Sequence, residues 1–222
     1  MPWTVLIPVR SLPGAKSRLA APSGDVSAHA RLVEAIRADT VSAARAAQGV
    51  ARVVLVVDGP GVAVPAGTEV VVQRRPGLNE ALADAALEAG WRWPADGVAA
   101  LLGDLPALRP VELADALGLA SGVDRAYVPD AEGTGTTLLT AGPQRHLAPR
   151  FGAGSAARHA TDAAAVDAGP GLRRDVDTVA DLRAAARLGL GPETSREFTA
   201  ARGDSAFISD RHSEGMNGAH RE

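Results

Sequence analysis

A chain of 222 residues with 46% hydrophobic content has the length of one domain, or one domain with a tail, and enough apolar side chains for a sizeable core. Its formal charge of −3 argues against generic nucleic-acid or anionic-membrane binding through bulk charge. The absence of cysteine excludes disulfides, thiolate metal sites and a cysteine nucleophile.

In chain order, Trp3–Val9 is a short apolar run ending in Pro8-Val9-Arg10, which predicts a first buried strand. Met1-Pro2-Trp3-Thr4 leads straight into it, with no basic stretch before a long apolar core, and no apolar run reaches the roughly 18 residues of a membrane span. The expectation is a cytoplasmic protein. A loop over Arg10–Ser27 precedes a predicted helix over Ala28–Ala47. Val53–Val57 and Glu69–Gln73 read as strands, and Leu78–Gly90 as a helix. Val98–Leu102 is a fourth strand stopping at Gly103-Asp104-Leu105-Pro106, and Pro110 opens another helix, where proline suits the first turn. Ala126–Val128 and Thr137–Thr140 read as strands flanking a Gly/Thr turn, and Thr178–Leu188 as an amphipathic helix. Strands alternating with helices imply a mostly parallel sheet covered on both faces. A domain over residues 1–190 and a polar, mobile tail over 191–222, anchored by Phe198 or Phe207, are the expected organisation.

In an open parallel sheet, ligands bind at the carboxyl ends of the strands, so the polar residues just after each strand carry the chemistry. After the first strand, Arg10, Lys16 and Arg18 place three cations in nine residues with a flexible Gly14. Such a loop can wrap a triphosphate, although it lacks the P-loop spacing and reads equally as a solvated basic turn. Lys16 is the sole lysine among 23 basic residues. After the fourth strand, Gly103, a candidate nucleotide contact, precedes Asp104, which suits a hard cation or a helix cap. Asp175 and Asp177 alternate in an extended segment, so both carboxylates can face one metal; Asp177 can instead cap the helix at Thr178.

Phe151-Gly152-Ala153-Gly154-Ser155 reads as a glycine loop entering a short helix, with Ser155 and free N–H groups suited to an anion and Thr137 contributing from the neighbouring strand. Two plain glycine turns are the alternative. In Arg74-Arg75-Pro76-Gly77-Leu78-Asn79, the asparagine caps the following helix or, if the loop lies over the site, contacts the nucleotide together with Pro76 and Gly77.

These segments together resemble the guanylyltransferase family of deazaflavin coenzyme F-420 biosynthesis, whose members convert 2-phospho-L-lactate, or phosphoenolpyruvate in actinobacterial members, into a guanosine diphosphate adduct. The matching stretches are Ile7-Pro8-Val9-Arg10 with Ala15–Leu19, Gly77–Leu82, Gly103–Pro106, Gly133–Leu139, Phe151–Ser155 and Asp175–Thr178. The resemblance implies the nucleotide-diphospho-sugar-transferase type of three-layer α/β/α sandwich, GTP as donor, and Mg²⁺ held by Asp104, Asp175 and Asp177. It further implies that Thr137, Gly152 and Ser155 bind phosphoenolpyruvate or phospholactate. One departure is Arg10, where many relatives carry lysine; the charge is kept.

The expected chemistry is attack by a substrate phosphate oxygen on the α-phosphorus of GTP, with charge neutralised by the metal, Lys16, Arg10 and Arg18. The nearest alternative is a nucleotidyltransferase for a molybdopterin or sugar phosphate, although such relatives usually carry a Gly-Gly pair where this chain has Leu12-Pro13-Gly14. A nucleotide-binding module without chemistry is the alternative of another class. The sequence is compatible with a homodimer.

Overall fold

Valine- and leucine-rich runs form the centre of the molecule because both of their faces are covered. The computed structural model describes residues 1–9, 26–59, 62, 64, 65 and 67–200. Within them, β1 (Trp3–Val9), β2 (Val50–Val57), β3 (Glu69–Val72), β4 (Gly97–Leu101), β5 (Arg125–Pro129), β6 (Thr136–Ala141) and β7 (Ala164–Ala165) make one seven-stranded sheet. The strand order is β3-β2-β1-β4-β6-β5-β7. Pairing is parallel along β3-β2-β1-β4 and between β5 and β7, while β6 runs antiparallel to both β4 and β5. The mostly parallel sheet expected from the sequence therefore holds one reversed strand.

Side chains alternate across each strand, so β1 sends Val5, Ile7 and Val9 to one core and Leu6 to the other. The first core is closed by α1 (Val26–Ala46) and α3 (Pro110–Ala120), through Val41, Ala44, Leu113 and Leu117. The second is closed by α2 (Leu78–Arg92) and α4 (Ser155–His159), through Leu82, Ala85 and Ala156. The result is the three-layer α/β/α sandwich that the resemblance implies. Pro110 stands in the first turn of α3, as expected.

A third, smaller cluster joins Ile36 of α1 to Val176 and to Leu182 and Ala185 of α6 (Val179–Leu188), which follows the short α5 (Pro170–Arg173). The tail expected after Gly191 begins as a further helix, α7 (residues 192–200). Buried Asp39 of α1 accepts hydrogen bonds from the main-chain nitrogens of Glu193 (3.1 Å) and Thr194 (2.7 Å), and Phe198 packs against the third cluster. The ordered body thus extends past residue 190, because a carboxylate 154 residues upstream supplies the cap that the local sequence lacks. Phe207 lies outside the described residues.

Candidate active site

The carboxyl ends of β1, β4 and β5 and the amino end of β6 surround a cavity of about 590 Å³. Pro8, Val9, Leu102, Gly103 and Asp104 form its floor, and Val33, Ile36 and Arg37 of α1 form one wall. Asp130, Thr134, Gly135, Thr136 and the loop Phe151–Ser155 form the opposite wall, and Asp175 and Asp177 complete the rim.

The acidic side is built by main-chain contacts. Thr40 of α1 accepts from the Leu105 nitrogen (3.1 Å) and donates to the Ile36 oxygen (2.9 Å), which ties the turn after β4 to the helix. The Val176 nitrogen then donates to the Asp104 oxygen at 3.1 Å, and the Val176 side chain is fully buried in the third cluster. Its neighbours Asp175 and Asp177 consequently face the cavity with Asp104. Asp177 does not cap α6. Thr178 does so, in a reciprocal arrangement with Asp181.

The crowding acts on the acid–base chemistry of Asp175. Burial pushes the Asp175 carboxyl up to about 7, and the negative charges of Asp104, Asp177 and, more weakly, Asp130 add to the shift. Asp130 is a member that reading the sequence missed. It follows β5 as Asp104 follows β4, so the same rule would have found it. Carboxylate oxygens of Asp130, Glu132 and Asp175 lie within 4.8 Å of one another, a second grouping able to hold a cation. Two of these three are already engaged: Asp130 accepts from the nitrogens of Thr134 (2.8 Å) and Gly135 (2.7 Å), and Glu132 pairs with Arg174 at 2.5 Å. The donor set around Asp175 is all oxygen, which fits a hard divalent cation.

The opposite wall is held from a distance. The Asn79 side chain accepts from the Phe151 nitrogen (2.7 Å) and donates to the Phe151 oxygen (3.2 Å). It therefore does not cap α2; it fixes the start of the glycine loop. The cap position of α2 is Gly77, at a φ of 109° that disfavours any side chain, and it makes no side-chain cap bond. Pro76 and Gly77 are absent from the described cavity lining, where Leu78 stands instead. Gly152 (φ 116°) and Gly154 (φ 72°) turn the loop so that Ser155 begins α4 inside the cavity.

The expected Thr137 is replaced in the lining by Thr134 and Thr136. Val128 pairs with Leu138 but Pro129 with Thr136, so Thr137 is the extra residue of a β-bulge. Its side chain is buried, and its Oγ1 has no hydrogen-bond partner among the described residues. Thr136 Oγ1 lies 2.9 Å from His159 Nδ1 and 3.2 Å from Ser155 Oγ. Burial, with the charges of Arg150 and Arg158 nearby, lowers the His159 pKa to about 4, so its ring is neutral at pH 7.

Arg10, Lys16 and Arg18 lie outside the described residues. Among the described lining residues the cation is Arg37, whose side chain is 11% exposed and lies 3.6 Å from Glu34. Burial lowers its pKa, and Glu34 opposes part of that shift. No sequence motif marked it; its place follows from sharing a helix face with Val33.

The fold matches solved structures of other proteins. A nucleotide-diphospho-sugar-transferase structure from Desulfovibrio desulfuricans superposes with a TM-score of 0.70 at 18% identity, covering 95% of this chain and 98% of that one. A Mycobacterium tuberculosis protein solved as a manganese complex superposes with a TM-score of 0.51 at 20% identity, covering 84% and 98%. The architecture thus has the fold of these structures. Residues 3–169 match the family described as guanylyl transferase, CofC like, and the chain belongs to that family. It is an enzyme, a nucleotidyltransferase, as its relatives are. The phosphoenolpyruvate guanylyltransferase of Salinispora arenicola is 50% identical over 201 residues, covering 87% of this chain and 92% of the relative. That of Geodermatophilus obscurus is 48% identical over 204 residues, with 87% and 92% covered. Among the described residues, no helix is long and apolar enough to cross a membrane.

Proposed function

We propose that this enzyme transfers GMP from GTP to phosphoenolpyruvate, with release of pyrophosphate, as a cytoplasmic step of coenzyme F-420 biosynthesis. The supporting observation is the division of one cavity into an acidic rim, Asp104, Asp175 and Asp177, and a hydroxyl- and glycine-lined wall, Thr134, Thr136 and Gly152–Ser155. The first suits a cation carrying a triphosphate, and the second suits the anionic groups of a small phosphorylated acid. The names of the relatives select phosphoenolpyruvate as that acid.

In the reaction a phosphate oxygen of phosphoenolpyruvate forms a bond to the α-phosphorus of GTP, and the bond from that phosphorus to the α–β bridging oxygen breaks. The electron pair leaves with pyrophosphate. A phosphate monoester is largely dianionic at neutral pH, with a second pKa of roughly 6, so no side-chain base is needed. That agrees with the cavity lining, which holds no histidine among the described residues. Mg²⁺ bound by Asp104, Asp175 and Asp177 would offset the phosphate charge. A divalent ion is supported by the carboxylate crowding at Asp175 and by the manganese in one structure of the same fold. Asn79 fixes the loop that presents Ser155, and Arg37 adds positive charge beside Val9. Arg10, Lys16 and Arg18 are assigned to the triphosphate on their sequence alone.

The test is pyrophosphate release with each of four NTPs crossed with phosphoenolpyruvate, 2-phospho-L-lactate, a sugar phosphate and no acceptor. Release confined to GTP with phosphoenolpyruvate is expected. Nucleotide binding without release in any mixture, or release with the sugar phosphate instead, overturns the reading.

A further inference from the structure

Two side chains of the hydroxyl-lined wall and one buried behind it form a hydrogen-bonded chain whose polarity can be worked out. The Arg150 main-chain N–H donates to His159 Nε2 at 2.9 Å. A main-chain nitrogen cannot accept, so Nε2 is the bare nitrogen and, in a neutral ring, Nδ1 carries the hydrogen. His159 Nδ1 must then donate to Thr136 Oγ1, 2.9 Å away. The next contact, 3.2 Å between Thr136 Oγ1 and Ser155 Oγ, uses one hydroxyl hydrogen, whichever partner supplies it. Two hydroxyls carry two hydrogens. One O–H is therefore left over, and both residues that can own it line the cavity.

The opposite tautomer would give a different sum. Nδ1 would draw the Thr136 hydrogen toward the protein, Ser155 would donate to Thr136, and no O–H would remain for a ligand. The histidine is thus connected to what the hydroxyl pair can offer, although it is fully buried and does not line the cavity.

We propose that His159 is a positioning residue that sets the Thr136–Ser155 pair as a donor toward an anionic oxygen of the acceptor acid. The inference rests on the reading that this wall holds the phosphorylated acid. His159 also packs edge-on against Phe151, with ring centroids 5.2 Å apart, so a packing role has to be separated from a polar one.

Two amide substitutions separate them, because each keeps one end of the imidazole. In His159→Asn the amide nitrogen reaches the place of Nδ1 and still donates to Thr136. In His159→Gln the amide oxygen reaches the place of Nε2 and still accepts from Arg150, but nothing donates to Thr136. Both lose the ring. Steady-state kinetics with GTP and phosphoenolpyruvate should show His159→Asn within about threefold of the parent KM for phosphoenolpyruvate. His159→Gln should raise that KM about fivefold or more, because the spare O–H is still present but no longer held in one orientation toward the ligand, with the KM for GTP unchanged. Equal effects of the two variants, or none, overturn the proposal and leave the guanylyltransferase reading standing. No pyrophosphate release by the unaltered enzyme overturns that reading instead. A measurement that needs no variant is the ¹⁵N spectrum of His159, where an Nδ1–H tautomer is expected and an Nε2–H tautomer overturns the proposal.

Discussion

The main-chain nitrogen of Val176 donates to the main-chain oxygen of Asp104 at 3.1 Å, and this bond holds the segment carrying Asp175 and Asp177 against the turn after β4. Because the contact involves main chain only, carboxylates can be altered without loosening it. Asp104→Ala should therefore leave the melting temperature near that of the parent while reducing turnover by at least about 100-fold, the loss of several kcal/mol of metal-dependent stabilisation. Turnover at saturating GTP and Mg²⁺ checks the second point and thermal melting the first. Near-normal turnover would remove Asp104 from the metal site.

Two groups, one at the cavity rim and one buried behind its wall, pull the pH dependence of stability in opposite directions. The Asp175 carboxyl is raised to about 7 in the folded protein, from an ordinary 3.8. Between those values the folded state holds the proton more firmly than the unfolded chain, so metal-free stability falls as pH rises. The His159 imidazole is lowered to about 4 from 6.5. Over that range the unfolded chain binds the extra proton, so stability rises with pH. Asp175→Asn should expose the rising dependence and His159→Gln the falling one, in melts from pH 4 to 8 without divalent ions.

Metal binding competes with the Asp175 proton. The increase in melting temperature on adding Mg²⁺ should grow as pH rises toward about 7 and level off above it. In Asp175→Asn that pH dependence should disappear. A shift by Mg²⁺ that is flat from pH 5 to 8 in the unaltered protein would mean that Asp175 does not bind the ion.

Asn79→Ala removes both hydrogen bonds to Phe151 and strands the loop's N–H, at a cost of about 1–3 kcal/mol. The expected kinetic result is a raised KM for phosphoenolpyruvate, because Gly152–Ser155 follow directly from Phe151. A raised KM for GTP alone would return Asn79 to the nucleotide.

Asp39→Ala takes away the acceptor for Glu193 and Thr194 and should destabilise the protein by about 1–2 kcal/mol. Hydrogen exchange should accelerate across residues 192–200 first. Unchanged protection there would show that Phe198 alone suffices to hold the helix.

What the sequence disclosed about the site depended on how far each relationship reaches along the chain. Asp104 was legible because it directly ends a hydrophobic strand, and Asp175 with Asp177 because alternation is a local property. Asp130 obeys the rule that found Asp104, and was hidden only by the glycine cluster that follows it. Thr137 could not be placed, since a bulge is a property of two strands and leaves no mark on one. Asn79 offered a helix cap or a nucleotide contact, and its bonds to Phe151 stayed hidden because that residue lies 72 positions away. The docking of residues 192–200 hid for the same reason, with Phe198 the one apolar sign of it.

The reversed direction of β6 determines which parts of the chain can diverge separately. Because β6 runs backwards, the short turn over residues 130–135 opens onto the binding rim, between the end of β5 and the start of β6. Most other segments reaching that rim must cross the sheet again to return. A hairpin tip has no such obligation, so insertions and deletions there reshape one wall of the cavity while the register of β1, β2 and β3 stays as it is. In this architecture that wall can change with a loop alone, whereas the wall made by α1 changes only with a whole crossover.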